Sequence, residues 1–187
     1  MKIDGNNIRP GNIIEHKNRL MRAVKIQHTQ PGKGGAYLQV ELKDIRDGTK
    51  MNERFRSSES VERVRLDQTE YQYLFRDGEM LTFMHNENYE QITVHEELVG
   101  EPAIFLQESM NVTIESYEEE PIGVALPETV VMEVVEADAV VKGQTASSSY
   151  KPGVLENGAR IMVPPHIAAG TKVVVNTADG TYAERAK

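Results

Sequence analysis

Residues 71–83 read Tyr-Gln-Tyr-Leu-Phe-Arg-Asp-Gly-Glu-Met-Leu-Thr-Phe, and they decide the fold class. Tyr71, Tyr73 and Phe75 occupy every second position, which places them on one face of an extended chain. Asp77-Gly78 is a turn pair whose glycine tolerates the positive φ of a tight hairpin. Leu81 and Phe83 resume the alternation beyond it. The stretch predicts a β-hairpin with one apolar face.

The same signature recurs in both directions. Leu38, Val40 and Leu42 alternate with Gln39, Glu41 and Lys43, as a half-buried strand requires. Val112 and Ile114, Val130 to Val135, Ile161 to Val163 and Val173 to Val175 are short β-branched runs. Between them fall Asp47-Gly48, Pro121, Pro127, Lys142-Gly143, Asn157-Gly158, Pro164-Pro165 and Asp179-Gly180, all turn signals. Many short strands at this spacing predict an all-β chain of small barrels, not a parallel α/β sheet. One helix is expected near Glu96 to Gln107, with Leu98, Phe105 and Leu106 on a shared face, although Gly100 and Pro102 weaken it. The polar run at 56–60 and Pro127 mark two boundaries. They divide the chain into modules 1–64, 65–128 and 129–187.

Charge follows those boundaries. The 187 residues carry a net charge of -8, but unevenly. Residues 1–64 hold 13 Lys+Arg against 8 Asp+Glu, a net +5; residues 65–128 hold 2 against 15, a net -13; residues 129–187 are neutral. A basic first module is drawn to phosphate while an acidic second is repelled by it. The acidic run also reads as a solvated, solubilising surface.

Several function classes are excluded or disfavoured. With no cysteine, a disulfide scaffold, a zinc–cysteine site and a thiol nucleophile are ruled out. The start of the chain, MKIDGNNIRPGNII, lacks the apolar core of a signal peptide, and no run reaches membrane-spanning length. A cytoplasmic protein with no membrane partner is expected. There is no Gly-x-Ser-x-Gly elbow. His16, His28, His85, His95 and His166 are scattered, and the one metal reading, His85 and His95 with Glu96 or Glu97, is weaker than that of exposed polar residues. No catalytic residue, metal or bound cofactor is expected.

The sharpest local chemistry is Gln30-Pro31-Gly32-Lys33-Gly34-Gly35-Ala36, between strand-like stretches Arg22 to His28 and Tyr37 to Ile45. It predicts a hairpin tip. Pro31 fixes its own φ, and Gly32, Gly34 and Gly35 supply positive φ and leave the tip thin. Lys33 is then a lone cation on a narrow probe, able to enter a crevice between phosphates. From spacing alone the same residues also describe an ordinary solvated turn. A P-loop is excluded, because Lys33 is followed by Gly34 and not by Ser or Thr. Arg9, Lys17, Arg19, Arg22 and Lys25 in the same module are candidate phosphate contacts or ordinary surface charges.

The Pro-Gly-Lys-Gly tip resembles the first-domain loop of the bacterial elongation factor P family. The resemblance continues through Tyr73-Leu74-Phe75-Arg76-Asp77-Gly78 and Phe83-Met84. It is strongest at Lys142-Gly143-Gln144-Thr145-Ala146, Lys151-Pro152-Gly153-Val154-Leu155, Asn157-Gly158-Ala159 and Val163-Pro164-Pro165. It covers essentially the whole chain, in order. The related two-domain archaeal and eukaryotic factor lacks the third module, so the bacterial form fits better. The Pro-Gly-Lys-Gly tip favours the principal factor over the like-named paralogue.

The resemblance implies an SH3-like (KOW-type) N-terminal barrel followed by two OB-fold barrels, in an elongated, tRNA-like arrangement. It implies a monomeric, non-enzymatic translation factor that enters the 70S ribosome between the P and E sites and relieves stalls at consecutive prolines. Lys33 then approaches the acceptor end of the peptidyl-tRNA. Family members with lysine here often carry a β-lysyl or other amine-bearing group on it, so a lysine-modifying enzyme is an implied partner. The loop formed by Lys142, Gly143, Gln144, Thr145, Ala146, Ser147, Ser148, Ser149 and Tyr150 is implied to lie near mRNA at the E-site codon. Gln144 replaces a common aspartate, and Ser147-Ser148-Ser149-Tyr150 replaces a glycine-rich stretch. Tyr150 can stack on a base or pack on its own barrel. A general single-strand-binding OB protein is the competing binding reading; the acidic middle module argues against it.

Overall fold

The computed structural model describes residues 1–139 and 149–187. Its strands form three sheets. The first contains β1 (Lys2–Asp4), β2 (Ile13–His16), β3 (Arg19–Thr29), β4 (Tyr37–Asp44), β5 (Lys50–Arg56) and β6 (Ser60–Val64), in the order β1-β6-β2-β3-β4-β5. The second contains β7 (Asp67–Asp77), β8 (Met80–His85), β9 (Gln91–His95), β10 (Asn111–Tyr117) and β11 (Glu120–Ala125), in the order β11-β10-β7-β8-β9. The third contains β12 (Thr129–Ala137), β13 (Lys151–Leu155), β14 (Arg160–Val163), β15 (Lys172–Asn176) and β16 (Thr181–Arg185), in the order β14-β13-β12-β15-β16. The chain divides into two compact units. One is Met1–Thr69 with Ile114–Gly123; the other is Glu70–Thr113 with Val124–Lys187.

In the first unit, the alternation of β4 does what its sequence demands. Leu38, Val40 and Leu42 are fully buried, and Ile8, Ile14, Met21, Ala23, Phe55 and Val61 complete the core around them. Gly5 holds a turn against this core. A Cβ there would lie 2.4 Å from the Arg56 carbonyl oxygen, so no larger residue fits without moving backbone. Gly48, Gly78, Gly158 and Gly180 all have positive φ, as their Asp-Gly and Asn-Gly pairs require. The β2–β3 turn is made instead by Lys17 and Asn18, at φ 50 and 61, without a glycine.

Two expectations fail in the second unit. Tyr71, Tyr73 and Phe75 do not share a buried face: Tyr73 is buried, whereas Phe75 is 53% exposed. The pairing with β8 shifts between Tyr73↔Phe83 and Phe75↔Thr82, so a bulge at Leu74 turns Phe75 outward. The expected helix at 96–107 is also absent. Gly100, at φ 79, divides the segment into two short 3-10 turns, Glu96–Leu98 and Glu101–Phe105. Phe105 then leaves the face expected for it and enters the core of the third sheet, with Val130, Met132, Leu155, Val173 and Val175. The Asn157 side-chain amide donates to the Ile104 carbonyl at 2.8 Å and pins the adjoining residue.

The first of these turns is capped by His95. Its Nδ1 accepts the Glu97 backbone N–H at 3.1 Å, and its Nε2 lies 3.0 Å from Glu79 Oε2. Because Nδ1 is an acceptor, the neutral ring carries its proton on Nε2 and donates it to Glu79. The bond to Glu79, followed by the charges of Glu97, Glu79 and Glu96, raises the His95 pKa above the ordinary imidazole value. A histidine with a raised folded pKa stabilises the protein fully below its unfolded pKa, and that contribution is lost as pH rises through the folded pKa. Glu79→Gln is expected to move the His95 titration toward lower pH, followed by its ring resonances in NMR. An unchanged midpoint would show that Glu79 is not the partner that matters.

Candidate nucleic-acid interface

β3 and β4 build the candidate site. They pair from Met21↔Asp44 out to Thr29↔Tyr37, with a bulge between Ala23 and Lys25. β5 reaches as far as Arg56, opposite Tyr37. Residues 30–35 therefore continue past the last rung of the sheet as a tip, while the Ala36 carbonyl accepts the Ser57 backbone N–H at 3.1 Å. Lys33 is exposed at its apex, and its side chain makes no ion pair or hydrogen bond among the described residues. Of the three glycines, only Gly34 has positive φ, at 111. Gly32 and Gly35 serve differently: a Cβ at either would meet nothing within 4 Å, so the tip is thin and open on those sides.

The five other basic candidates separate by what already holds them. Arg9 is turned back on its own loop, its Nη1 donating to the carbonyls of Asn6 at 2.9 Å and Ile8 at 3.0 Å. Lys17 Nζ donates to Glu53 Oε1 at 2.6 Å, and this bond leads in holding the Glu53 carboxyl below its usual pKa. Arg19 stands 3.5 Å from Asp44 and 3.7 Å from Asp47. Arg22 lies 3.7 Å from Glu115. Lys25 is exposed and makes no such pair among the described residues. Of these six, Lys33 and Lys25 have no partner among the described residues, and the other four are held by acids or backbone of the same unit, Arg22 the most loosely.

Two arginines near the tip escaped the sequence reading. Lys50, Asn52, Arg54 and Arg56 are the exposed alternate positions of β5, and Gln39 pairs with Arg54 as Tyr37 pairs with Arg56. The Arg54 guanidinium sits 4.1 Å from the centre of the Tyr37 ring, stacked at the base of the tip. The period-2 spacing of Arg54 and Arg56 was the signal available to find them.

The other predicted loop is mostly beyond description. Lys142, Gly143, Gln144, Thr145, Ala146, Ser147 and Ser148 lie outside the described residues. Tyr150 is 51% exposed, and its ring meets that of Tyr182 edge-on at 6.2 Å. It rests against its barrel through one ring and keeps a free face. Among the described residues, no three His, Asp or Glu side chains converge to hold a metal ion, and no helix is long and apolar enough to cross a membrane.

Three family models match the chain in order. Residues 4–61 match the elongation factor P KOW-like domain, 66–124 the elongation factor P OB domain, and 130–185 the elongation factor P C-terminal domain. The elongation factor P of Zymomonas mobilis subsp. mobilis is 63% identical over 186 residues, and that of Rhizorhabdus wittichii 62%, each with complete coverage of both chains. The chain belongs to the elongation factor P family. It is a translation elongation factor, and the ribosome is the machine on which such a factor acts. Elongation factor P of Parvibaculum lavamentivorans, at 60% identity over the full length, is a further relative. Among solved structures, the eukaryotic translation initiation factor 5A from Methanococcus jannaschii aligns with a TM-score of 0.56 at 22% identity. It covers 68% of this chain and 92% of that one. A translation initiation factor eif-5a family protein from Naegleria fowleri aligns with a TM-score of 0.51 at 18% identity, covering 67% of this chain and 98% of that one. These two likenesses concern the fold. They extend over about two thirds of the chain, as expected when the elongation factor P plan carries an additional module.

Proposed function

We propose that the protein binds the 70S ribosome between the P and E sites, sets Lys33 against the acceptor end of peptidyl-tRNA, and promotes peptide-bond formation at consecutive prolines. The observation that carries this reading is the tip. An exposed cation, unpaired among the described residues, stands on a thin backbone beyond the end of a sheet, within the module of net positive charge. Such a probe can enter a narrow RNA crevice and meet phosphate there.

The protein performs no covalent chemistry in this scheme. Proline's ring fixes its φ, so a prolyl donor and acceptor meet in poor alignment. Holding reactants near their attack geometry lowers a barrier by up to roughly 7–11 kcal/mol in the best intramolecular cases, and a fraction of that relieves a stall. Lys33 supplies reach and charge, Gly32, Gly34 and Gly35 the clearance, and Pro31 a stiffened entry to the tip. An amine-bearing group such as β-lysine, joined to Lys33 by a dedicated modifying enzyme, lengthens the arm and keeps its charge. The loop at 142–150 approaches mRNA near the E-site codon. The protein acts as a cytoplasmic monomer.

The test is purified translation of a message encoding a proline run, with and without the protein. The expected result is release of the pause at the run, with proline-free messages unaffected. A pause that persists at saturating protein from the native host would refute the reading. Intact mass of that native protein tests the modification, which fails if only the unmodified mass is found.

A further inference from the structure

We infer that a second cleft on the first unit, lined by Arg22, Arg63 and Arg65, is a phosphate-binding trough that grips RNA backbone away from the Lys33 tip. The inference rests on the proposed role on the ribosome and adds a second point of attachment to it. The cleft has a volume of about 380 Å³. In the ladder, Ile13 of β2 pairs with Arg22 of β3 on one side and with Val64 of β6 on the other. Ile13, Arg22 and Val64 thus share one face of the sheet, and Arg63 and Arg65, on either side of Val64, line the same cleft.

The charges in the trough are available. Arg63 and Arg65 are exposed, and neither side chain makes an ion pair or hydrogen bond among the described residues. Arg22 is held only loosely: its Nη2 lies 3.7 Å from Glu115 Oε2, with the arginine side chain 42% exposed. A pair at that distance and exposure is worth little in water, and a phosphate with two oxygens for the guanidinium fork can displace it. Glu115 then acts as a placeholder that keeps the third arginine in position until RNA arrives. Three arginines against one glutamate leave the cleft a net positive charge. A larger cleft of about 730 Å³ in the second unit has the opposite balance, with Arg76 paired to Glu96 and faced by Glu97 and Glu101. It repels phosphate. The arginine trough is therefore where a nucleic-acid backbone has reason to settle.

The shared chemistry is phosphate, and RNA must be told from a small polyphosphate. Isotope-labelled protein is titrated with deacylated tRNA and, separately, with inorganic pyrophosphate, following by NMR the backbone amides of 63–68 and the side-chain N–H groups of the three arginines. The expected result is that tRNA shifts these signals and pyrophosphate leaves them unsaturated at millimolar concentration. Arg63→Ala with Arg65→Ala removes two contacts, which lowers tRNA affinity about twentyfold at 0.1 M salt and flattens the salt slope by about 1.4. Glu115→Gln tightens binding by freeing Arg22. Shifts confined to residues 31–36, or tRNA affinity unchanged in the double variant, overturn the trough and leave the tip standing. Shifts at neither place overturn both. Saturation by pyrophosphate alone overturns the assignment to RNA.

Discussion

Lys33→Ala is expected to abolish most of the proposed stimulation of synthesis through a proline run while leaving the fold intact. The side chain is exposed and makes no hydrogen bond or ion pair among the described residues, so little packing is lost. Surface changes of this kind alter stability by no more than about 0.5 kcal/mol. The thermal midpoint should stay put. Function is different, because this cation is the only one placed at the apex of the tip. Losing even about 1.4 kcal/mol of transition-state alignment slows the step tenfold. In a purified translation assay, release of the proline pause should fall by about that factor or more. Lys33→Arg should recover only part of it, since arginine keeps the charge but not a primary amine for extension. An alanine variant that works as well as the parent would remove the tip from the mechanism.

Phe105→Ala carries the largest expected cost in stability. The ring is 4% exposed and packs among Val130, Met132, Leu155, Val173 and Val175, and it also faces Gly180 at 3.5 Å from where a Cβ would stand. Truncating a buried phenylalanine costs about 3–5 kcal/mol from lost transfer energy and the cavity left behind. The damage should appear in the third sheet, although residue 105 precedes that sheet's first strand by more than twenty positions. Denaturant unfolding measures the total, and hydrogen exchange should show lost protection at amides of β12 and β15. A loss below about 1 kcal/mol would mean that the ring is not part of this core.

The sequence made the strands legible because their chemistry is local. Leu38, Val40 and Leu42 alternate with polar neighbours, and all three are fully buried. The Asp-Gly and Asn-Gly turns were likewise readable, since positive φ selects glycine at those positions. What escaped depended on partners distant in sequence. Periodicity cannot register a bulge at Leu74, so Phe75 was placed on the wrong face. The 96–107 segment looked helical by its apolar spacing, but Gly100 broke it and a core assembled from later strands claimed Phe105. The Lys17-Asn18 turn gave no glycine signal. The basic residues of the first module were all visible as charges. Which of them were already committed was not, because Glu53, Asp44 and Glu115 are remote from the cations they hold.

The most direct measurement is a zero-distance one at the tip itself. A photoactivatable residue at position 35 preserves Lys33, fits without collision because nothing lies within 4 Å of a Cβ there, and needs no unusual φ. On ribosomes stalled at a proline run, irradiation should join it to the 3′-terminal nucleotides of the P-site tRNA. Adducts found only on ribosomal protein, or on the factor's own barrel, would contradict the placement of Lys33 beside the reacting ends.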